Sequence, residues 1–290
     1  MENQLNTPMG LTVPPDLGDK LAAALCSPQF SGCFEPALVG DASSREALLG
    51  LAGEFSLAPI SGFKVGALAI GKSGNGYLGA NMEFTGVPLH ATLHAEQSAV
   101  INAWMHGEAA IHSLRVSKLP CGHCRQFLLE LHGAAELTII VEDAAAKLAE
   151  LMPAPFEQIR PKGRGLLESP RQKLVSTQAG ASDNAQRAIN AASRSYTPYS
   201  QSPEGFIIET INGQHFAGRM AESLAFNPSV PPVVTALNQM NLSAQRKVSI
   251  SRCTHARLAT ALTQSFAFSE ALMRGICNVP VENVLMESVS

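Results

Sequence analysis

The sequence has no long apolar run and no excess of positive charge, and each absence excludes a class of protein. No stretch approaches the roughly 20 apolar residues that a membrane-spanning helix needs. Basic and acidic residues number 21 and 24, for a net charge of −3, whereas nucleic-acid binders usually carry a basic excess or a basic stripe. The first ten residues, MENQLNTPMG, contain no basic segment followed by an apolar one, so we expect no secretory signal.

Cysteine is scarce as well, with six residues in a chain of 290. Four of these cysteines show no close spacing: Cys26, Cys33, Cys253 and Cys277. Isolated cysteines of this kind are typical of reduced thiols, so we expect a cytoplasmic protein. Hydrophobic residues are plentiful at 46%, which predicts a folded chain that is long enough for two modest domains.

The order of the predicted elements indicates the fold class. Residues 1–47 read as a helical N-terminal segment, and the helix predicted over SSREALLGLAGEF at its end should be capped by Ser43 or Ser44. Residues 48–152 then give a strand hairpin, a buried helix opened by HAEQ, a strand, a second helix opened by CGHC, and a final strand. A strand–helix–strand order with short connections predicts a parallel strand pair. We therefore expect an α/β fold with three layers, α/β/α.

The second half of the chain repeats the first at a fixed offset of 139 residues. The matching pairs are Pro59 and Pro198, Ser61 and Ser200, Gly66 and Gly205, Tyr77 and Phe216, Gly79 and Gly218, and Glu83 and Glu222. Between the copies, residues 153–184 are rich in proline, glycine and serine, which predicts a linker. The repeat predicts a duplicated core, with the second copy at residues 185–290.

The segment LPCGHCRQF contains a CxxC pair, Cys121 and Cys124. By itself this pair is compatible with a redox dithiol, half of a structural zinc site, or two ligands of a catalytic metal. The upstream segment LHAEQ offers His94 and Glu96 at the start of the preceding helix. One histidine and two thiolates would leave the fourth zinc position open, which is the catalytic arrangement. His123, inside the CxxC, is expected to point away from the metal into solvent.

The combination HxE…PCxxC resembles the signature of zinc-dependent nucleobase deaminases. From Gly62 onward the chain is similar to the cytidine deaminase family, in particular to its larger dimeric type, in which a catalytic core is followed by a degenerate second core. The resemblance implies that His94, Cys121 and Cys124 bind zinc and that Glu96 moves protons. It also implies that Arg125 donates a hydrogen bond to a thiolate.

The same resemblance implies a set of substrate-binding residues: Asn81 and Glu83 for the ribose, Phe63 for stacking on the base, Ala95, and Phe226 in the segment AFNP. Plain alternatives remain, since Phe63 could be a core residue and Glu83 could have a structural role that it shares with Glu222. Phe226 is expected to reach the active site of a partner subunit in a homodimer. No HxE or PCxxC occurs in residues 185–290, so the second core should not bind this zinc.

The sequence thus predicts hydrolytic deamination of cytidine and deoxycytidine to uridine and deoxyuridine, with Zn²⁺ as cofactor, a small nucleoside as substrate, and no nucleic acid or membrane as partner. Two alternatives stay open. A deaminase acting on cytosine in polynucleotides is disfavoured by the net charge, and a structural zinc module would need a fourth ligand that the sequence does not offer at suitable spacing.

Overall fold

The structure is a computed structural model that describes residues 18–157 and 165–289; the first ten residues, and with them the prediction about a signal, lie outside these ranges. The first half contains α1 (Asp19–Leu25), β1 (Cys33–Phe34), α2 (Pro36–Val39), α3 (Ala42–Glu54), β2 (Gly66–Gly71), β3 (Gly76–Ala80), α4 (Ala95–Met105), β4 (Ile111–Val116), α5 (Gly122–Leu128), β5 (Thr138–Val141), β6 (Ala144–Lys147) and α6 (Leu148–Leu151). The second half contains β7 (Leu174–Ser176), α7 (Asp183–Ala192), β8 (Glu204–Thr210), β9 (His215–Arg219), α8 (Pro232–Asn241), β10 (Ile250–Leu258), α9 (Phe266–Ile276) and β11 (Val281–Ser288).

Two sheets with the same central topology account for the repeat in the sequence. The first sheet has the order β1-β3-β2-β4-β5-β6 and the second the order β7-β11-β10-β8-β9. In each sheet a hairpin, β2–β3 or β8–β9, lies beside a parallel pair, β4–β5 or β10–β11. The parallel pair that the sequence predicts is therefore present in both copies.

Each sheet is covered by helices on both faces, because alternate residues of a strand point to opposite sides. In the first core, Leu68 of β2 packs with α3, whereas Ala67 and Ala69 belong to the hydrophobic cluster that contains α4. In the second core, Ile207 packs with α7, and its neighbour Phe206 faces the cluster that contains α8. This confirms a three-layer α/β/α core that occurs twice.

The glycines that recur in the repeat lie where a helix crosses a strand closely. A Cβ atom on Gly79 would stand 2.3 Å from the carbonyl oxygen of Ala95 in α4, and one on Gly218 would stand 1.9 Å from that of Pro232 in α8. Gly66 and Gly205 are equally crowded by the helix on the other face. Only a residue without a side chain allows this approach, which explains why these positions match between the copies.

The two cores share one hydrophobic cluster, in which α4 of the first core packs against α8 of the second. Buried polar contacts join the same two helices. The Ser98 hydroxyl donates to Asn238 Oδ1 over 2.6 Å, and Asn238 Nδ2 donates to the Ser98 carbonyl oxygen over 3.1 Å. The helices that line the centre of the molecule are thus fixed on both sides.

The N-terminal cap of α3 differs from the sequence prediction. Asp41 is the capping residue, since its carboxylate accepts hydrogen bonds from the Ser44 N–H over 2.7 Å and from the Ser44 hydroxyl over 2.9 Å. The prediction of Ser43 or Ser44 was therefore wrong, although Ser44 takes part as the donor. A carboxylate suits this position because it also interacts favourably with the helix dipole.

Residues 153–184, which the sequence predicts to be a linker, contribute β7 to the edge of the second sheet. Gly165 also packs tightly against the backbone of residues 130–132 in the first core. Throughout the described part of the chain, no helix has the length and apolar character required to cross a lipid bilayer.

Candidate active site

Three potential metal ligands converge where the N-termini of two helices meet. His94 is the residue before α4, Cys121 is the residue before α5, and Cys124 lies in the first turn of α5. His94 Nδ1 is 3.6 Å from Cys121 Sγ, and Cys121 Sγ is 3.8 Å from Cys124 Sγ. All three donor atoms lie within 4.8 Å of one another, so one ion could contact all of them.

The electrostatics of this cluster favour a thiolate at Cys121. Hydrogen bonds from the Cys124 thiol and from the His94 ring lower the pKa of Cys121 to about 3. The hydrogen bond to Cys121 correspondingly raises the pKa of His94. A nitrogen donor and two sulfur donors form a set that zinc prefers, and the three leave a fourth coordination position free. The residues present therefore fit a catalytic zinc ion.

Arg125 holds the turn that carries the two cysteines. Its Nε donates to the Pro120 carbonyl oxygen over 2.8 Å, and its Nη1 donates to the Leu151 carbonyl oxygen over 2.7 Å. The expectation that Arg125 donates to a thiolate was wrong, because its guanidinium donates to these two backbone carbonyl oxygens instead. Its structural effect is to fix the residue immediately before Cys121.

Glu96 lies in the first turn of α4, two residues beyond His94, and only 5% of it is exposed. Burial raises the pKa of its carboxyl group above the ordinary value, although the hydrogen bond with Cys124 and the charge of His94 act in the opposite direction. A carboxyl group with a raised pKa holds a proton more readily than an exposed carboxyl group does, which suits a general acid and base.

A cavity of about 260 Å³ opens beside the three donors. Most of the residues that the sequence singles out line it: Phe63, Asn81, Glu83, His94, Ala95, Glu96 and Cys121. Sequence reasoning missed five further lining residues: Ser61, Val65, Thr92, Lys118 and Leu119. Of these five, only Lys118 and Leu119 could have been identified from the sequence, because they directly precede Pro120 of the CxxC segment.

Asn81 and Phe63 shape one wall of the cavity together. The Asn81 side chain accepts from Ser56 Oγ and from the Val65 N–H, and its amide donates to the Phe63 carbonyl oxygen over 2.9 Å. Asn81 therefore fixes the backbone that carries Phe63. The Phe63 ring is 55% exposed, so it is a wall residue with a free face and not a core residue.

Glu83 faces the same cavity and also anchors the loop before Phe63. Its carboxylate accepts from the N–H groups of Ile60 and Ser61, each over 2.9 Å, and from the Ser61 hydroxyl. Although burial favours the neutral acid, these hydrogen bonds lower the pKa of Glu83 below its ordinary value. In the second core Glu222 accepts the same three kinds of hydrogen bond, from Tyr199 and Ser200.

Phe226 does not line this cavity. It is 71% exposed and lies in a turn with φ +61°. Its segment nevertheless adjoins the site of the same chain, because Gln97 of α4 donates to the Pro228 carbonyl oxygen over 2.8 Å. Asn227 and His123 border a second opening beside His94, where the His123 ring stacks on the His94 ring with centroids 5.0 Å apart. His123 is half-buried there, so the expected solvated position does not describe it fully.

The positions of the second core that correspond to His94 and Cys121 carry other residues. Pro231 precedes α8 as His94 precedes α4, and Ser265 precedes α9 as Cys121 precedes α5. Near Ser265 the buried His255 ring contacts Glu204 over 3.1 Å and Ser269 over 3.0 Å. Within the described residues, the one group of three or more metal-type side chains is His94, Cys121 and Cys124.

Comparison with known proteins identifies the family. Two family models that share the description "Cytidine and deoxycytidylate deaminase zinc-binding region" match the chain, one over residues 44–140 and the other over residues 148–265. The cytidine deaminase of Pectobacterium carotovorum subsp. carotovorum (strain PC1) is 37% identical over 273 residues, which cover 92% of this chain and 90% of that protein. The cytidine deaminase of Yersinia pestis (strain Pestoides F) is 43% identical over 231 residues, 79% of this chain and 78% of that protein.

A solved structure of cytidine deaminase from Mycobacterium tuberculosis is also similar, at 32% identity and a TM-score of 0.35, over 38% of this chain and 91% of that chain. The duplicated fold and the three converging donors define a zinc-binding deaminase in which the first core carries the metal ligands. The chain belongs to the cytidine deaminase family.

Proposed function

We propose that the protein catalyses the zinc-dependent hydrolytic deamination of cytidine and deoxycytidine to uridine and deoxyuridine. The observation that carries the proposal is the convergence of His94, Cys121 and Cys124 at one end of a cavity that also holds the buried Glu96. A zinc ion on these three residues would lower the pKa of a water molecule that it binds.

Glu96 moves the protons of the reaction. It accepts a proton from the attacking water and delivers it to N3 of the base. It then takes the proton of the hydroxyl group formed at C4 and delivers it to the amine, which leaves as ammonia. The raised pKa of its carboxyl group supports this role, because Glu96 holds a proton more readily than an exposed carboxyl group does. Glu96 lines the same cavity but does not belong to the group of three donors, so it can reach a bound base without being a ligand.

The cavity wall orients the nucleoside. The ionised Glu83 accepts hydrogen bonds from the ribose hydroxyl groups, the remaining N–H of the Asn81 side-chain amide donates to the ribose, and the free face of Phe63 stacks on the base. Ala95, which follows His94, provides a small apolar surface that lets the base approach the metal site. The cavity volume of about 260 Å³ favours a single nucleoside over a polymer.

We further propose that the protein acts in the cytoplasm as a homodimer whose active sites are shared between the subunits. The exposed Phe226 side chain supports this assembly, because its segment lies beside α4 while the ring itself remains largely uncovered. In the dimer the partner subunit would cover this ring, and the ring would provide apolar surface beside the base bound in the partner's active site.

The loss of cytidine absorbance on conversion to uridine tests the proposed function. Purified protein should deaminate cytidine and deoxycytidine, lose activity with a zinc chelator, and recover it when zinc is restored. A cytosine-containing oligonucleotide should not be processed. Processing of the oligonucleotide in place of the nucleoside would favour a polynucleotide deaminase, and no turnover of either would leave only a structural zinc site.

A further inference from the structure

A second cavity, of about 440 Å³, lies on the second core and is lined almost entirely by cationic and apolar side chains. Its lining includes four arginines and one histidine: Arg171, Arg187, Arg194, Arg219 and His215. None of the residues that line it is an aspartate or a glutamate, and none of them lines the deaminase cavity. In a protein with a net charge of −3, this concentration of positive charge is local.

Arg219, at the end of β9, is the buried member of the group. It is 7% exposed, and its guanidinium lies 3.9 Å from the centre of the Trp104 ring. Its Nη2 donates to the Trp104 carbonyl oxygen over 2.6 Å, but its buried Nε has no hydrogen-bond partner among the described residues. Burying a cation without a carboxylate partner is costly, so a bound anion beside Arg219 would lower the free energy of this site.

The exposed arginines converge on the same opening. Arg187 and Asn190 lie three residues apart on one face of α7, and Arg194 follows two residues after the end of this helix; all three line the cavity. Arg171 donates to Asn190 Oδ1 over 3.3 Å, which brings a third guanidinium to the group. The charges repel one another: burial and then the charge of Arg194 lower the pKa of Arg219 to about 9.

An anion with several charged oxygens would satisfy these groups together. The planar fork of a guanidinium matches phosphate geometry, and four such groups exceed what one phosphate needs. The apolar wall formed by Met105, Ile207 and Ala217 offers space for an organic portion. We propose that this cavity binds a polyphosphate anion, either inorganic or as the phosphate chain of a nucleoside triphosphate.

Calorimetric titration of the full chain tests the proposal, with inorganic triphosphate and ATP as the probes. The matched variants are the double change Arg187→Gln with Arg194→Gln, which alters two exposed residues, and the control Arg252→Gln on the exposed face of β10. The wild-type protein and the control should bind with saturation. The double variant should bind about tenfold more weakly or worse, since a hydrogen bond to a charged group typically contributes about that much.

Comparison of the probes identifies the source of the phosphate. Tighter binding of ATP would assign a nucleotide, and equal binding would assign the phosphate chain alone. Absence of saturable binding by the wild-type protein, or equal binding by the double variant, would overturn the proposal. Far tighter binding of a single-stranded oligonucleotide through the same arginines would overturn the proposal, because the ligand would then be a nucleic acid and not a small anion. Deamination of cytidine by the double variant should be unchanged, which keeps this outcome separate from the proposed function.

Discussion

Glu96 is the residue on which the proposed chemistry depends most, because it is buried beside the metal donors without being one of them. Changing Glu96 to Gln keeps the volume and removes the exchangeable proton. We expect the rate to fall by about 10²–10⁴-fold or more, as is typical when a general acid and base is removed. Zinc content and thermal unfolding should stay near those of the wild type. A variant with a near-normal rate would place the proton shuttle on another residue.

Glu83 and Glu222 occupy equivalent positions in the two cores, so a comparison of their variants distinguishes ribose binding from anchoring of the loop. Each accepts the same hydrogen bonds from its own loop, but only Glu83 faces the cavity with the metal donors. Changing either residue to Gln should lower the free energy of unfolding by no more than about 1.5–3 kcal/mol, the usual contribution of a hydrogen bond to a charged group. Only Glu83→Gln should also raise the KM for cytidine.

The measurements for this pair are steady-state kinetics and thermal unfolding of both variants. An unchanged KM in Glu83→Gln, together with equal losses of stability in the two variants, would show that Glu83 is purely structural. That outcome would leave Asn81 and Phe63 as the proposed contacts of the nucleoside.

At the scale of single elements, the close contact of β3 with α4 positions the start of the helix that carries His94 and Glu96. Gly79→Ala would place a methyl group 2.3 Å from the Ala95 carbonyl oxygen, so α4 must move away from the sheet. We expect a loss of both stability and deaminase activity. Overpacking of a core typically costs about 1–3 kcal/mol, and unfolding curves with parallel rate measurements would detect it.

Gly50→Ala in α3 is the matched control, since no heavy atom lies within 4 Å of the added methyl group. Alanine is the better helix former by about 1 kcal/mol, so this variant should be as stable as the wild type or more stable, with unchanged activity. If Gly79→Ala behaved like Gly50→Ala, the tight helix–sheet contact would not position the site.

Much of the element order could be predicted because hydrophobic periodicity and glycine turns are local signals. The buried helix after His94 and the parallel pair β4–β5 follow from such patterns. The capping residue of α3 did not, because three candidates stand close together and only the geometry selects Asp41. The partners of Arg125 were likewise missed, since the Leu151 carbonyl oxygen is distant in sequence.

At the scale of the whole molecule, the packing of one core on the other decides where the remaining features lie. The sequence predicts the duplication but not that α4 and α8 face each other through Ser98 and Asn238. The cavity lined by four arginines could not be predicted from the sequence either, since it combines residues of α7, β8 and β9 with Met105 of the first core. Such long-range arrangements have no periodic signature in the chain.

The shared-site dimer is tested by mixing two inactive proteins. One carries Glu96→Gln and the other carries Phe226→Ala, which removes the exposed ring. If Phe226 serves the partner's site, a mixed dimer contains one site with both residues intact, and activity should return after subunit exchange. If Phe226 serves the site of its own chain, every site stays defective and exchange restores nothing. A monomer in solution would exclude the arrangement without further work.

The most direct test of the central claim is the titration of zinc into metal-free protein while cytidine deamination is followed. Because one core holds three donors and the equivalent positions before α8 and α9 carry Pro231 and Ser265, we predict that activity rises in proportion to zinc and reaches its limit at one ion per chain. Cys124→Ser should remain inactive or nearly so at the same zinc concentration. Full activity without zinc, or a limit reached only at two ions per chain, would contradict the account.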